Sequence, residues 1–104
     1  MALHCPATLL VAPAPRDAKG VASLVDALTG DRVLAVVRAP DLAVGTQLAE
    51  RLGAVLEDEV GLAADEPDPA TLDAIADLHR GETVLVLTPP GEARGAPFVR
   101  LELD

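Results

Sequence analysis

Two histidines and a single cysteine are the side chains of this sequence best suited to nucleophilic or metal chemistry. His4 and Cys5 are adjacent, and an imidazole beside a thiol can activate the thiol as a nucleophile. Both residues precede the first predicted strand, however, whereas ligands of open α/β sheets bind beyond the carboxyl ends of the strands. We therefore expect His4 and Cys5 to belong to an N-terminal arm without a catalytic role.

His79 stands at the end of a predicted helix and is followed by Arg80 and Glu82. An imidazole in the last turn of a helix is stabilised by the helix dipole. The position also lies at the amino end of the next strand, which is the wrong edge of the sheet for catalysis. Because the two histidines have no Cys or carboxylate at ligand spacing, the sequence contains no metal motif. We predict a structural role for His79, and neither a metal nor another cofactor.

Arginines follow the predicted strands at three places. Arg16, Arg38 and Arg94 each lie shortly after a strand, at the edge of the sheet where ligands bind. Three guanidinium groups that converged there would bind a small anion well, since each presents several N–H donors in a planar fork. The alternative is that all three are ordinary surface arginines, because spacing alone does not establish convergence.

Carboxylates are concentrated in one part of the chain, with no Lys or Arg between Arg51 and Arg80. This segment would suit a basic partner or a divalent cation, and the alternative is a solvated face that aids solubility. Its spacing does not match a calcium-binding loop. The acidic residues are Glu57, Asp58, Glu59, Asp65, Glu66, Asp68, Asp73 and Asp77.

Composition limits the function further. The 104 residues include 17 Asp or Glu against 8 Lys or Arg, and the net charge of −9 argues against nucleic acid as a partner. Half of the residues are apolar, yet no apolar run is long enough to cross a bilayer. A lone cysteine and the lack of a signal-peptide pattern predict a cytoplasmic protein, which we expect to be bacterial. The preference for Arg over Lys suggests a GC-rich genome but assigns no organism. The length fits a single domain, residues 1–104.

Hydropathy patterning predicts strands alternating with helices. Short unbroken apolar runs are typical of strands buried on both faces of a parallel sheet. The segment 98–103 alternates instead, which is typical of an antiparallel edge strand with one wet face. The predicted strands are residues 8–12, 33–37, 54–56, 83–88 and 98–103, and the predicted helices are residues 17–29, 41–52 and 69–79.

Local signals predict where the helices begin and end. Asp41 is expected to be an N-cap, and Asp68 followed by Pro69 is a strong start signal. Gly30 and Gly53 are expected to end the first two helices, Gly30 in the left-handed conformation. The remaining long segment, residues 57–69, is rich in acidic residues, Gly and Pro and is predicted to be a loop.

These elements predict a three-layer α/β/α sandwich with a mostly parallel sheet and an antiparallel C-terminal edge strand. In such a fold the loops at the carboxyl ends of the parallel strands carry the ligand site. Here those loops are residues 13–16, 38–41 and 88–94, and they are where a functional site is expected.

The order of segments resembles the histidine phosphatase superfamily, which has the phosphoglycerate mutase-like fold, and in particular its short phosphohistidine phosphatase branch. Residues 9–14 (LLVAPA) lie where that family has an apolar strand leading into Arg-His-Gly. Residues 36–40 (VVRAP) and 48–53 (LAERLG) are similar to its second strand and following helix. Residues 72–79 and 81–88 (GETVLVLT) look like its last helix and its strand of the form GETVLVVTH.

The sequence departs from this family at the reactive positions. Ala12 and Pro13 stand where the resemblance implies an Arg and the nucleophilic His, and Pro89 stands where it implies the second His. Ala43 lies near the position of a phosphate-binding Arg, with Arg38 as the nearest cation. Transfer of a phosphoryl group through a phosphohistidine requires an imidazole nucleophile and a cluster of cations. Proline and alanine supply neither, so the resemblance implies a domain that is not an enzyme.

We therefore predict a non-catalytic histidine-phosphatase-like domain that acts as a protein-binding or structural module. The sequence does not identify the protein partner, and it leaves open whether the chain forms a homodimer. Two alternatives remain: a sensor of an anion or phosphometabolite that uses the three arginines, and a phosphatase or other enzyme with a non-standard site. The prolines make the crevice loops stiff and largely apolar, which suits recognition better than reaction. The predicted crevice consists of Pro13, Ala14, Arg16, Arg38, Ala39, Pro40, Thr88, Pro89, Pro90 and Arg94.

Overall fold

Apolar runs of five or six residues form the strands at the centre of this protein. The computed structural model describes residues 5–40, 42–63, 67–90 and 98–103. In chain order its elements are β1 (Ala7–Pro13), α1 (Ala18–Ala27), β2 (Val33–Arg38), α2 (Val44–Leu52), β3 (Val55–Asp58), the 3-10 turn η1 (Val60–Ala63), α3 (Pro69–Leu78), β4 (Thr83–Thr88) and β5 (Val99–Leu103).

The strands form one sheet in the order β3-β2-β4-β1-β5. Neighbours are parallel throughout, except that β5 pairs with β1 in the antiparallel sense. The predicted mixed α/β class and the antiparallel edge strand are confirmed. Pro13 is in register with Thr88 at the ends of β1 and β4, so the loops that follow these two strands leave the sheet side by side.

Alternate residues of the strands supply two separate cores, one on each face of the sheet. Leu10 and Leu85 pack with α1 and α2, whereas Leu9 and Val84 pack with α3 and η1. Because side chains alternate along a strand, each central strand must be apolar on both faces, which is why its sequence is an unbroken apolar run. No helix within the described residues is long and apolar enough to cross a membrane.

The helix boundaries confirm two of the predicted capping signals. Asp68 accepts a hydrogen bond from the Thr71 amide at 2.8 Å, with Pro69 in the first turn of α3. That backbone hydrogen bond holds the pKa of the Asp68 carboxyl below its usual value. Gly53 ends α2 in the left-handed conformation, with φ of 66°.

Two predictions of helix boundaries were wrong. Gly30 is not left-handed, because α1 already ends at Ala27 with Leu28 as its C-cap. Asp41 lies outside the described residues, and α2 begins only at Val44 with Ala43 as N-cap. The start is delayed because Arg38 Nη1 donates to the Leu42 carbonyl, and the chain makes a tighter turn there, with the Gly45 amide bonding to the same carbonyl.

The predicted loop over residues 57–69 was wrong in its first half. Strand β3 continues to Asp58, since Glu57 pairs with Val37 and Asp58 with Arg38 along β2. The chain then enters η1, where the fully buried Leu62 packs under the sheet. These contacts hold an acidic segment against the core, although its composition alone suggests an irregular loop.

Candidate functional site

A small apolar pocket lies at the carboxyl ends of β2 and β4. It has a volume of about 130 Å³ and is lined by five residues from four segments: Ala39, Leu42, Ala63, Pro89 and Pro90. Ala39 follows β2, Leu42 precedes α2, Ala63 ends η1, and the two prolines follow β4. This is the edge of an α/β sheet at which ligands generally bind.

The side chains that line the pocket are all hydrophobic. None of its five lining side chains carries an ionisable, nucleophilic or hydrogen-bonding group. Sites for metabolites and cofactors usually measure about 300–1,000 Å³, whereas an engineered protein cavity of about 150 Å³ holds one benzene. The pocket therefore has room for one aliphatic side chain or a proline ring, but not for a sugar phosphate.

The structure brings together only part of the crevice that the sequence predicted. Ala39, Pro89 and Pro90 line the pocket. Ala14 is fully buried, because its amide donates to the Thr88 carbonyl and its methyl packs on the α1 face of the sheet. A partner cannot reach this side chain.

The other residues of the predicted crevice that the structure describes do not line the pocket. Pro13 is half-buried at the end of β1, and Thr88 makes a long hydrogen bond of 3.4 Å to the Ala12 carbonyl. Pro40 and Arg16 are exposed. Arg94, the third arginine of the predicted anion site, lies outside the described residues.

Arg38 is occupied by contacts within the protein. Its Nε donates to Asp58 Oδ1 at 2.9 Å, and its Nη1 donates to the Leu42 carbonyl at 2.9 Å and to Thr46 Oγ1 at 3.3 Å. The Arg38 side chain is only 15% exposed, and the Asp58 carboxylate lies directly against its guanidinium group. This guanidinium ties β2 to β3 and to the start of α2, and an anion would have to compete with Asp58 for it.

Gly45 shows how closely α2 approaches the Arg38 side chain. A Cβ atom at this position would lie 2.7 Å from Arg38 Cδ, much closer than two carbons can approach. Glycine therefore allows the first turn of α2 to pack directly on the arginine stem. The same contact helps to fix the direction in which the guanidinium points.

His79 lies in a second polar cluster, on the α3 side of the sheet. Its ring is buried, with Nδ1 2.8 Å from Glu82 Oε1 and Nε2 2.8 Å from Glu57 Oε1. Burial alone would lower the pKa of the imidazole, but the hydrogen bonds and charges of Glu82 and Glu57 outweigh it, and the pKa of His79 is raised. The predicted structural role of His79 matches this placement, although its partners are carboxylates rather than a helix dipole.

The sequence reasoning missed the lining residues Leu42 and Ala63, and the pairing of His79 with Glu57. A usable signal for Ala63 was present, since residues 60–63 form a short apolar run inside the acidic segment. The partner of His79 is 22 positions away in the sequence and left no comparable signal. Among the described residues, no group of three or more His, Cys, Asp or Glu side chains is arranged to hold a metal ion.

Comparison with known proteins adds no relative: the chain matches no known family model, no curated protein and no solved structure. The resemblance to histidine phosphatases therefore stays a prediction from the sequence.

Proposed function

We propose that this chain is a non-catalytic, histidine-phosphatase-like domain that binds a protein partner through the apolar pocket at the ends of β2 and β4. The observation that carries the proposal is the lining of this pocket: five apolar side chains occupy the edge of the sheet where an α/β enzyme holds its reactive groups. The proposal includes the cytoplasmic location expected from the single cysteine, and the bacterial origin expected above.

The arrangement of the prolines supports a site without a reaction. Pro13 and Pro89 are the positions at which the resemblance implies two imidazoles. Pro13 is in register with Thr88, the residue immediately before Pro89, so both prolines lie at neighbouring strand ends. Two imidazoles there would face one substrate, whereas two prolines offer rigid apolar surface and no N–H donor.

The chemistry of the partner follows from the size and surroundings of the pocket. One aliphatic or proline side chain fills about 130 Å³. Val60, which begins the same 3-10 turn that Ala63 ends, is a further exposed apolar side chain on that turn, at 75% exposure. The net charge of −9 favours a segment that carries Lys or Arg beside its apolar anchor.

The proposal can be tested by selecting binders from a random peptide library and mapping them by NMR on the ¹⁵N-labelled chain. We expect an apolar anchor flanked by basic residues, with the largest shifts at the amides of Ala39, Leu42 and Ala63. Ala63→Glu and Pro90→Glu should each weaken binding at least about tenfold, because the new carboxylate would lose its hydration against the apolar anchor that enters the pocket. Both side chains are exposed, so the fold should be retained, and Ala22→Glu on α1 is the matched control.

Binders that map to another surface, or that lose equal affinity with Ala22→Glu, would contradict the proposed site. Turnover of a phosphohistidine substrate above the blank would contradict the non-catalytic assignment. Thermal stabilisation by phosphate would favour the anion-sensor alternative, since a ligand at 100 times its Kd adds about 2.7 kcal/mol.

A further inference from the structure

The outer edge of β5 is a second feature of this protein that the proposed function does not use. In the described part of the chain, β5 has a neighbour on one side only, namely β1. An edge strand with free backbone groups is a template for a further strand. The question is which strand the edge of β5 fits.

The direction of the outward backbone groups of β5 can be worked out from β1. The amides of Thr8 and Ala14 donate to carbonyls of the β4 side, so even-numbered residues of β1 point their backbone groups toward β4. Odd-numbered residues of β1 therefore face β5, and they pair with Val99, Leu101 and Leu103. It follows that the N–H and C=O groups of Arg100 and Glu102 lie in the plane of the sheet and point away from β1, beyond the outer edge of β5.

We propose that two copies of this chain associate through antiparallel pairing of their β5 strands about a two-fold axis at Leu101. In this register Arg100 of each copy is opposite Glu102 of the other, and their outward backbone groups form four hydrogen bonds. The side chains of each Arg–Glu pair lie on the same face, about 5.5 Å apart at Cβ, where opposite charges stabilise the pairing.

The charges also exclude the neighbouring registers. Moving the axis to Arg100 places two arginines directly opposite each other, and moving it to Glu102 does the same with two glutamates. If one strand were shifted by a single residue, the outward N–H and C=O groups of one copy would lie opposite residues of the other copy whose N–H and C=O groups point toward β1. These outward groups would then have no hydrogen-bond partner. The pairing about Leu101 is thus the register in which both the hydrogen bonds and the charges are satisfied.

The other face of the sheet is apolar at this contact. Val99 is 59% exposed, and Leu103 would lie opposite it in the second copy, beside the two Leu101 side chains at the axis. Arg100 already holds Asp31 Oδ1 at 2.9 Å and lies 5.9 Å from the centre of the Phe98 ring, which keeps the guanidinium in place on the α1 face. A guanidinium has five N–H donors, so it can bind Glu102 of a second copy as well.

The opposite edge of the sheet lacks these properties. Strand β3 has only four residues and ends in Glu57 and Asp58, so self-pairing would bring carboxylates together without a cation on the same strand. Glu57 is also occupied by His79. The charge pattern therefore assigns the self-association to β5 alone.

The test is sedimentation velocity over about 1–500 µM protein in about 150 mM salt, which screens the net charge of the two copies. Since a contact of five-residue strands is short, we expect a Kd in the micromolar range. Arg100→Glu and Glu102→Arg should each be monomeric over the same concentrations. Their equimolar mixture should form a heterodimer, and the double variant should again form a homodimer, because both combinations restore opposite charges across the axis.

A second measurement depends on geometry instead of charge. Residues 101 of the two copies form a non-hydrogen-bonded pair with Cα atoms about 4.5 Å apart, within the range of a disulfide. In a Cys5→Ser background, Leu101→Cys should cross-link on mild oxidation, whereas Val55→Cys on β3 should not. A chain that stays monomeric throughout, or a dimer that neither charge reversal weakens, would overturn the proposal, and it would leave the apolar pocket untouched.

Discussion

Replacing Glu57 with Gln tests whether the buried imidazole of His79 is held charged by its two carboxylates. Each ring nitrogen lies 2.8 Å from a glutamate oxygen, and the His79 side chain is 9% exposed, against 35% for Glu57 and 42% for Glu82. A hydrogen bond to a charged group contributes about 1.5–3 kcal/mol, and partial exposure of the glutamates lowers this to about 1 kcal/mol each. Since the Gln oxygen can still accept from Nε2, Glu57→Gln removes only the charge.

The effect of pH has a definite sign. The pKa of His79 in the folded protein is raised above its ordinary value of 6.5, so its contribution to stability is complete below about pH 6.5. That contribution is lost as the pH rises through the raised pKa. Glu57→Gln should therefore lower the free energy of unfolding by about 1 kcal/mol at pH 6, or the melting temperature by about 4–8 °C, and this difference should shrink as the pH rises through the raised pKa of His79.

The assay is urea unfolding at several pH values from about 5.5 to 9, together with an NMR titration of the His79 ring, assigned from the spectrum of His79→Gln. Glu50→Gln is the matched control, because Glu50 is exposed on α2 and its substitution changes the net charge equally. If the curves of unfolding free energy against pH for Glu57→Gln and the wild type run parallel, the two carboxylates do not hold the charge of His79, and the reasoning fails.

Two further substitutions test the local structure. Asp17→Ala should lower the free energy of unfolding by about 1 kcal/mol, because the Asp17 carboxylate is the N-cap of α1 and accepts a hydrogen bond from the Gly20 amide at 2.7 Å. The control Ser23→Ala, on the exposed face of the same helix, should change this free energy little. Equal effects of the two substitutions in urea unfolding would exclude the cap. Gly45→Ala should cost about 1 kcal/mol net, since a steric penalty of about 1–3 kcal/mol against Arg38 Cδ exceeds the gain in helix propensity of about 1 kcal/mol. Gly30→Ala, which meets no atom within 4 Å, should be neutral or stabilising in the same assay, and a stabilised Gly45→Ala would show that Arg38 is free to move.

The sequence predicted those elements whose signals are local. Strand β4 was predicted with its observed bounds, because an unbroken apolar run stands between Gly81 and Pro89. The start of α3 was equally clear, since Asp68 and Pro69 act within one turn of the chain. Each signal depends on neighbouring residues alone, and such signals are the ones that patterning can detect.

Where long-range contacts decide the structure, the sequence predictions failed. Strand β3 continues through Glu57 and Asp58, although acidic residues are poor strand formers. What holds them is Arg38, 20 positions away from Asp58, and His79, 22 positions away from Glu57. The same limit applies to the pocket, because Ala63 reaches it only once β3 and η1 have been placed.

Ion pairs among the described residues also hold several cations away from the pocket. Arg38 is neutralised by Asp58 and His79 by two glutamates, while Arg80 and Arg100 pair with Asp77 and Asp31. Arg38, the one closest to the pocket in sequence, is turned toward β3 by its hydrogen bond to Asp58. With 17 acidic residues against 8 basic ones, the excess of carboxylates remains to act at a distance. Under the proposed function, affinity at the pocket would come from apolar contact, while the negative field would attract a cationic partner, a division between affinity and association rate that charged interfaces commonly show.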